Sequence, residues 1–316
     1  MNIFDAAIQG AVQGITEFLP ISSSGHLLIS QHILGISENN LFFNVMLHIG
    51  TLVAVIAFYY KRIFKLIIAF FEIIKDIIHG KSKKKFNADK NFVIMVIVGL
   101  LPLLLMFLPV APGAVDVKNL AENLSDSNYI VIPGISLLTT GLLLYIGTQK
   151  DKKSSKDNTL GKLKNFSGGV STPKGRINVY DALWIGLSQF FAAIFPGLSR
   201  SGSTLSVGMI RGINKQTALD YSFILGIPAV MAAALLELKD AIETGSAYEI
   251  GILPIIVGIT VSAVVGFLAI KLFKWFLNTE KMWIFILYVT LIGGIITIIG
   301  VIECLMGVNL FTGMRI

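Results

Sequence analysis

Six stretches of the chain stay apolar for about twenty residues, the length a helix needs to cross the hydrocarbon core of a bilayer. They cover roughly 41–60, 92–112, 129–148, 218–238, 250–270 and 282–302. A span in lipid must satisfy its own backbone polar groups, so helices are predicted throughout. Pro102, Pro133, Pro228 and Pro254 fall inside these stretches and predict kinks. Two further segments, 2–37 and 179–214, also carry an apolar helical pattern, but each is interrupted halfway by a proline and a Ser/Gly cluster. With Asp5 laid on Asp181, the pairs Ala6/Ala182, Gly10/Gly186, Gln13/Gln189 and Pro20/Pro196 coincide and Phe4/Tyr180 is similar.

This reads as an internal duplication. Three spans separate the copies, and an odd number reverses the direction of the chain, so the copies are expected to be inverted across the membrane plane. A helix that stops at proline and restarts after Ser/Gly exposes backbone N–H groups at the restart. That is tolerated at depth only where it lines protein or a wet cavity. The predicted fold is an all-α polytopic membrane protein with six transmembrane helices plus two re-entrant helical hairpins, arranged as inverted-topology repeats. It forms a single membrane domain, 1–316: 1–148 is the first repeat, 149–178 a Lys-rich cytoplasmic connector, and 179–316 the second repeat. The alternative is that both segments make ordinary spans and match by chance.

Composition agrees. Of 316 residues, 54% are hydrophobic and 14% charged, with a mean hydropathy of +0.76; ordinary soluble domains carry about 25% charged residues. A soluble, disordered or fibrous protein is excluded. The net charge of +7 would suit a nucleic-acid partner, but its placement explains it otherwise. Nine basic residues lie between Tyr60 and Phe92, eight between Thr148 and Asn178, and Lys271, Lys274 and Lys281 flank another turn, whereas the opposite loops hold Lys118 and Lys239. The positive-inside rule puts the rich loops in the cytoplasm and both termini outside. Residues 63–78 are expected as an interfacial helix or a soluble-side helical hairpin. The opening MNIFDAAIQG has an acid and no basic region, so no cleavable signal peptide is expected. The single cysteine, Cys304, is expected to be a small apolar residue of the last helix.

Candidate chemistry sits where the two copies differ. Asp5, Gln9, Gln13 and Glu17 recur every fourth residue and form a polar stripe on one helix face. The second copy has Ile185 and Ala193 in place of Gln9 and Glu17 but supplies Arg200. An ionisable group at membrane depth costs at least ~2.5–3.5 kcal/mol unless paired or hydrated, so Glu17 and Arg200, beside the two breaks, are expected to meet. A bare ion pair stapling the repeats is the simpler reading, but the surroundings are richer than a staple requires. Ser22, Ser23, Ser24, Gly25 and His26 follow Glu17, and Ser199, Ser201, Gly202, Ser203 and Thr204 surround Arg200. Two helix N-termini, hydroxyls and a guanidinium make an anion site suited to phosphate oxygens. A carboxylate beside it implies a divalent ion, Mg²⁺ or Ca²⁺, on Glu17 with Gln13, or an acid–base role. Ser23 and His26, three apart, are candidates for nucleophile and proton carrier, in either order. The set reads as hydrolysis of a phosphate ester or anhydride. His48 is expected to be a packing residue, and His32 and His79 interfacial. There is no G-x-x-x-x-G-K-[ST] loop. The SSSGH run is similar to the PSGH of phosphatidic-acid-phosphatase-type enzymes, but their SR-x-x-x-H is missing after Ser199-Arg200.

QGITEFLPISSSGH (13–26) together with PGLSRSGST (196–204) resembles the undecaprenyl-diphosphate phosphatase, or bacitracin-resistance, family. The likeness extends over the chain in length, span number and repeat layout. Its (E/Q)xxxE pair falls on Gln13 and Glu17, its Ser and His on Ser23 and His26, and its PGxSRS arginine on Arg200. Gln13 in place of a glutamate puts any scheme needing two carboxylates in doubt. The usual SSTGH reads SSSGH, a mild change at Ser24. The resemblance implies catalysis by Glu17, Ser23, His26 and Arg200. It also implies a long-chain isoprenyl diphosphate as substrate and bacitracin resistance through recycling of the cell-wall lipid carrier. It further implies a multi-pass protein of the bacterial inner (plasma) membrane whose site opens to the outer side. Gln13, Ser22, Ser24, Gly25, Ser199, Ser201, Gly202 and Thr204 are expected to bind substrate. The expected partners are that lipid and the bilayer, not nucleic acid; the sequence leaves the oligomeric state, monomer or homodimer, open. The rival class is a transporter or flippase for a prenyl-phosphate lipid using the same anion site.

Overall fold

A computed structural model describes residues 2–34, 41–79, 87–109, 116–125, 130–164, 175–243 and 251–315. Among them there is no strand, only isolated bridges between Pro109 and Asp116 and between Val308 and Arg315. The helices are α1 (Ile3–Phe18), α2 (Ser23–Leu34), α3 (Leu41–Ile78), α4 (Ala88–Leu100, continued as a 3-10 segment Leu101–Phe107), α5 (Val117–Ser125), α6 (Val131–Lys164), α7 (Val179–Ile194), α8 (Arg200–Ile210), α9 (Lys215–Glu243), α10 (Ile252–Asn278) and α11 (Trp283–Met306). Six are long and apolar enough to cross a membrane: Phe42–Ile78, Ala88–Phe107, Val131–Lys153, Lys215–Asp240, Ile252–Asn278 and Trp283–Met306. They are the six stretches of the hydropathy pattern, and the protein is an all-α polytopic membrane protein.

α1 and α7 are broken for the same local reason. The ring of a proline pushes the preceding residue out of the helical region. Leu19, before Pro20, is extended (φ −70°, ψ 145°), and so is Phe195, before Pro196 (φ −99°, ψ 107°). Each helix is 16 residues long, about 24 Å at 1.5 Å per residue, short of the ~30 Å hydrocarbon core. The chain then restarts as α2 and α8.

Packing is reciprocal between the halves. α1 lies along α10, and α7 lies along α4. The matched glycines Gly10 and Gly186 make both approaches possible. A Cβ on Gly10 would stand 2.7 Å from the Gly258 carbonyl oxygen of α10, and one on Gly186 would collide with the backbone of Gly99 in α4. Small residues let helix backbones meet where lipid offers no hydrophobic drive to pack. α6 pairs with α11, and α3 with α9 and α10.

α3 consists of two helical arms that meet at a kink at one non-helical residue, Tyr59 (φ −101°, ψ 15°), beside the expected end of the first span. The segment expected as a further helix, 63–78, is helical and lies in the second arm, where Leu66, Ala69 and Ile73 pack against Val93 and Ile224. Other expectations need correction. Pro133 and Pro254 cause no kink: they stand in the first turns of α6 and α10, where no intrahelical N–H bond is lost. Pro102 marks the change from α-helix to the 3-10 segment, and Pro228 alone of the four is inside a helix, α9. The connector expected over 149–178 is helical to Lys164. Residues 165–174 of it, residues 80–86 of the other Lys-rich loop, Pro112 and Tyr129 lie outside the described residues.

Candidate active site

The polar stripe of α1 faces inward. Gln9, Gln13 and Glu17 are all buried, and Asp5 stands in the first turn. Glu17 is one residue short of the end of α1, so its carboxylate reaches the gap where the helix stops. On the far side of that gap Ser22 adopts φ +74°, a left-handed conformation that costs a non-glycine residue of the order of 1–3 kcal/mol unless its surroundings hold it. They do: its Oγ accepts the Gly25 N–H at 3.2 Å, and its carbonyl accepts the His26 N–H at 3.3 Å and faces His26 Nδ1 at 2.8 Å. α2 thus starts with Ser23 aimed back at α1, and Ser23 Oγ donates to Glu17 Oε2 at 2.6 Å.

The second break is built likewise. Gly197 takes φ +91°. Ser199 caps α8, its Oγ accepting the Gly202 N–H at 3.0 Å, and its own N–H goes to Thr140 Oγ1 on α6 at 3.0 Å. The two breaks then interlock. The Gly197 N–H donates to Ser24 Oγ at 3.3 Å and Ser201 Oγ donates to the Leu19 carbonyl at 3.2 Å. Gly25 and Gly197 meet so closely that a Cβ on Gly25 would stand 2.8 Å from Gly197 Cα.

Across this junction Arg200 Nη2 donates to Glu17 Oε1 in an ion pair. Glu17 and Arg200 do meet, as expected from their places beside the two breaks. Glu17 Oε2 also accepts from Gln13 Nε2 at 3.0 Å. Arg200 reaches this point over Gly226 of α9, where any Cβ would overlap the guanidinium. Glu17 and Arg200 border one narrow cleft, with room for about 10 Å³, walled by Phe18, Thr51, Val55 and Phe223. Phe18 and Phe223 close its apolar side edge to face, 5.6 Å between ring centres.

Not every expected residue points into the cleft. Ser199, Ser201 and Gly202 use their polar groups within the junction, and Thr204 Oγ1 lies 2.5 Å from Ser222 Oγ of α9. Ser22, Ser24 and Gly25 shape the first turn of α2. His26 shares that turn with Ser23 but faces another way, its Nε2 2.9 Å from the hydroxyl of Tyr288 on α11. His48 of α3, expected as a hydrogen-bonded packing residue, has Nδ1 2.8 Å from the Asn44 carbonyl and in addition places Nε2 3.9 Å from Glu17 Oε2. The one available signal of this contact was an ionisable group inside an apolar span. His32, expected as interfacial, pairs with the buried Glu303 at 3.0 Å.

Among the described residues no three His, Cys, Asp or Glu side chains lie close enough to share a metal ion. The oxygen donors at Glu17 still suit a hard cation. Gln13 is fully buried and its Oε1 has no hydrogen-bond partner. One carboxylate and one amide oxygen fit an ion that takes its other ligands from water and a phosphorylated substrate.

Fold and site together define a polytopic helical membrane protein in which two broken helices bring a carboxylate, a guanidinium and a serine hydroxyl to one enclosed point. The chain belongs to the family described as bacitracin resistance protein BacA, whose model matches residues 6–295. It is 34% identical to the undecaprenyl-diphosphatase of Alkaliphilus metalliredigens over 96% of this chain and 100% of that protein. It is 36% identical to the undecaprenyl-diphosphatase of Methanosphaera stadtmanae over 96% of this chain and 99% of that one. The identity is 35% with that of Methanobrevibacter smithii, over 94% and 97%.

Proposed function

We propose that this protein is an integral-membrane phosphatase that hydrolyses undecaprenyl diphosphate to undecaprenyl phosphate and inorganic phosphate. In doing so it recycles the cell-wall lipid carrier and confers bacitracin resistance. The observation that carries the reading is the Ser23 hydroxyl, hydrogen-bonded to Glu17 at 2.6 Å beside Arg200: a nucleophile, a proton acceptor and an anion-binding guanidinium at one point. The relatives named as undecaprenyl-diphosphatases over nearly their whole length support the substrate, and an isoprenyl tail accounts for a phosphate site buried among apolar helices.

The chemistry follows from the contacts. The incoming diphosphate competes with Glu17 for the guanidinium, whose planar fork matches phosphate oxygens. Glu17, relieved of its counter-ion but still bonded to Ser23, accepts the hydroxyl proton. Ser23 Oγ attacks the terminal phosphorus. The bond from that phosphorus to the bridging oxygen breaks, and undecaprenyl phosphate leaves with the electron pair. Glu17 passes the serine proton to the departing phosphate. Water then gives a proton to the freed carboxylate and attacks the phosphoserine phosphorus, and Ser23 Oγ leaves with the bond's electron pair, taking that proton back from Glu17 as inorganic phosphate departs. Glu17 and Gln13 would hold a divalent cation, Mg²⁺ or Ca²⁺, which supplies charge neutralisation on the diphosphate.

We further infer that 1–148 and 179–316 are inverted repeats joined by a cytoplasmic connector, with both termini outside and the site opening outward in the plasma membrane. The paired breaks at Pro20 and Pro196 and the reciprocal packing of α1 on α10 and α7 on α4 support the inversion. The distribution of lysines supports the orientation.

The test is phosphate release from a C55 prenyl diphosphate by purified protein in detergent micelles, with and without chelator. Turnover that is lost with chelator and restored by Mg²⁺ or Ca²⁺ is expected. Tight binding without phosphate release would instead favour a lipid carrier.

A further inference from the structure

His26 is held at both ring nitrogens. Nδ1 lies 2.8 Å from the Ser22 carbonyl oxygen, which can only accept, so Nδ1 carries the proton. In the neutral ring Nε2 is then an acceptor, and the group facing it, at 2.9 Å, is the hydroxyl of Tyr288. The two rings also stack, with centres 5.6 Å apart and planes within 12°. Tyr288 comes from α11, the last helix, 262 residues away in the chain.

What this contact holds is the backbone beneath Ser23. The carbonyl that His26 grips belongs to Ser22, the residue in the left-handed conformation, and its peptide leads directly into Ser23. A strained residue keeps its conformation only when several neighbours fix it. α2 packs on α1 and α6, its first turn meets Gly197 through Ser24 and Gly25, and Leu27 and Gln31 reach α3. α11 adds the side-chain contacts on the histidines at both ends of α2: Tyr288 on His26, and the fully buried Glu303, whose two carboxylate oxygens lie 3.0 and 3.1 Å from His32 Nε2.

We propose that Tyr288 is a positioning residue: its hydroxyl occupies His26 Nε2, which locks the His26 ring on the Ser22 carbonyl and so holds the Ser23 hydroxyl against Glu17. His26 then acts as a strut rather than as the nucleophile, because neither ring nitrogen is free. The inference rests on the reading that Ser23 carries the reacting hydroxyl.

The experiment is a double-mutant cycle with Tyr288→Phe, His26→Ala and the pair, scored by kcat and KM for phosphate release from a prenyl diphosphate and by thermal melting in detergent. Tyr288→Phe should lower kcat about tenfold, the effect of one strong hydrogen bond, with KM within twofold and an unchanged melting temperature. In the His26→Ala background it should lower kcat no further. Wild-type kcat in Tyr288→Phe, or the same loss in both backgrounds, would overturn the proposal. Where His26→Ala leaves too little turnover to compare, or a variant does not fold, the ¹⁵N shifts of His26 in the wild-type protein decide. A protonated Nδ1 and an acceptor Nε2 are expected, and the opposite tautomer overturns it. Absence of phosphate release by the wild-type protein would count against the phosphatase reading, while the ¹⁵N result would still decide the role of Tyr288.

Discussion

The guanidinium of Arg200 is placed by an absence. A helix carrying any side chain at position 226 would occupy the space the guanidinium needs, so Gly226 decides whether Arg200 can reach Glu17. Two substitutions probe the same point from opposite sides. Arg200→Lys keeps the charge but loses the planar fork, and Gly226→Ala keeps the arginine but displaces it. Both should lower kcat for phosphate release by about 10²-fold or more, the scale seen when a single preorganised transition-state donor is removed, while the folded protein persists by melting in detergent. Near-normal turnover in Arg200→Lys would remove the guanidinium from the mechanism. Arg200 was legible in the sequence as a cation at a proline-Ser/Gly break, but Gly226 was not, because an approach between α8 and α9 leaves no mark in the periodicity of either. The contact of His48 with Glu17 and that of Tyr288 with His26 were hidden for a similar reason. His48 and Tyr288 are each a lone polar residue on an apolar span, and such a residue shows its partner only once the helices have packed.

At the scale of the element, the broken helix is the device. Proline ends α1 and α7 by local sterics alone, which is why both breaks could be placed from the sequence. The restart is a different matter. Ser22 and Gly197 adopt left-handed backbone, and the breaks are joined by Ser24 to Gly197, Ser201 to Leu19, and Gly25 packed on Gly197. The hydroxyls expected to cradle phosphate are largely taken up by this junction, so on the α8 side the proposed anion site rests on Arg200. Gly197→Ala tests the junction: the new methyl would meet the Pro133 carbonyl at 2.5 Å in a backbone conformation alanine disfavours. A loss of about 1–3 kcal/mol in stability is expected, read as a lower melting temperature in detergent with activity falling alongside. Unchanged melting would mean that the left-handed turn at Gly197 and its seat against Pro133 do not hold the second break in place.

For the whole molecule, the prediction concerns orientation. A reporter fused after Asn123 should read outside and one after Lys152 inside, by the distribution of lysines between opposite loops. The reverse pattern would defeat the proposed inversion and the outward-facing site with it. The six spans were recoverable because twenty consecutive apolar residues have few alternatives to a helix in lipid. Their ends were less so: the connector expected from residue 149 is helical to Lys164, and only the backbone shows that the break at Tyr59 is a kink between two helical arms.

By itself the sequence determined that the chain lives in a membrane, where its helices break, and that an acid and an arginine would have to find each other there, since each of these follows from the local cost of exposing polar groups to lipid. Only the tertiary structure decided which hydroxyl lies on Glu17, which histidine faces it and which is spent on Tyr288. Those outcomes depend on the relative placement of helices far apart in sequence, which is set by close contacts such as Gly25 on Gly197 and Arg200 over Gly226, and the spacing of residues along one chain holds no record of them.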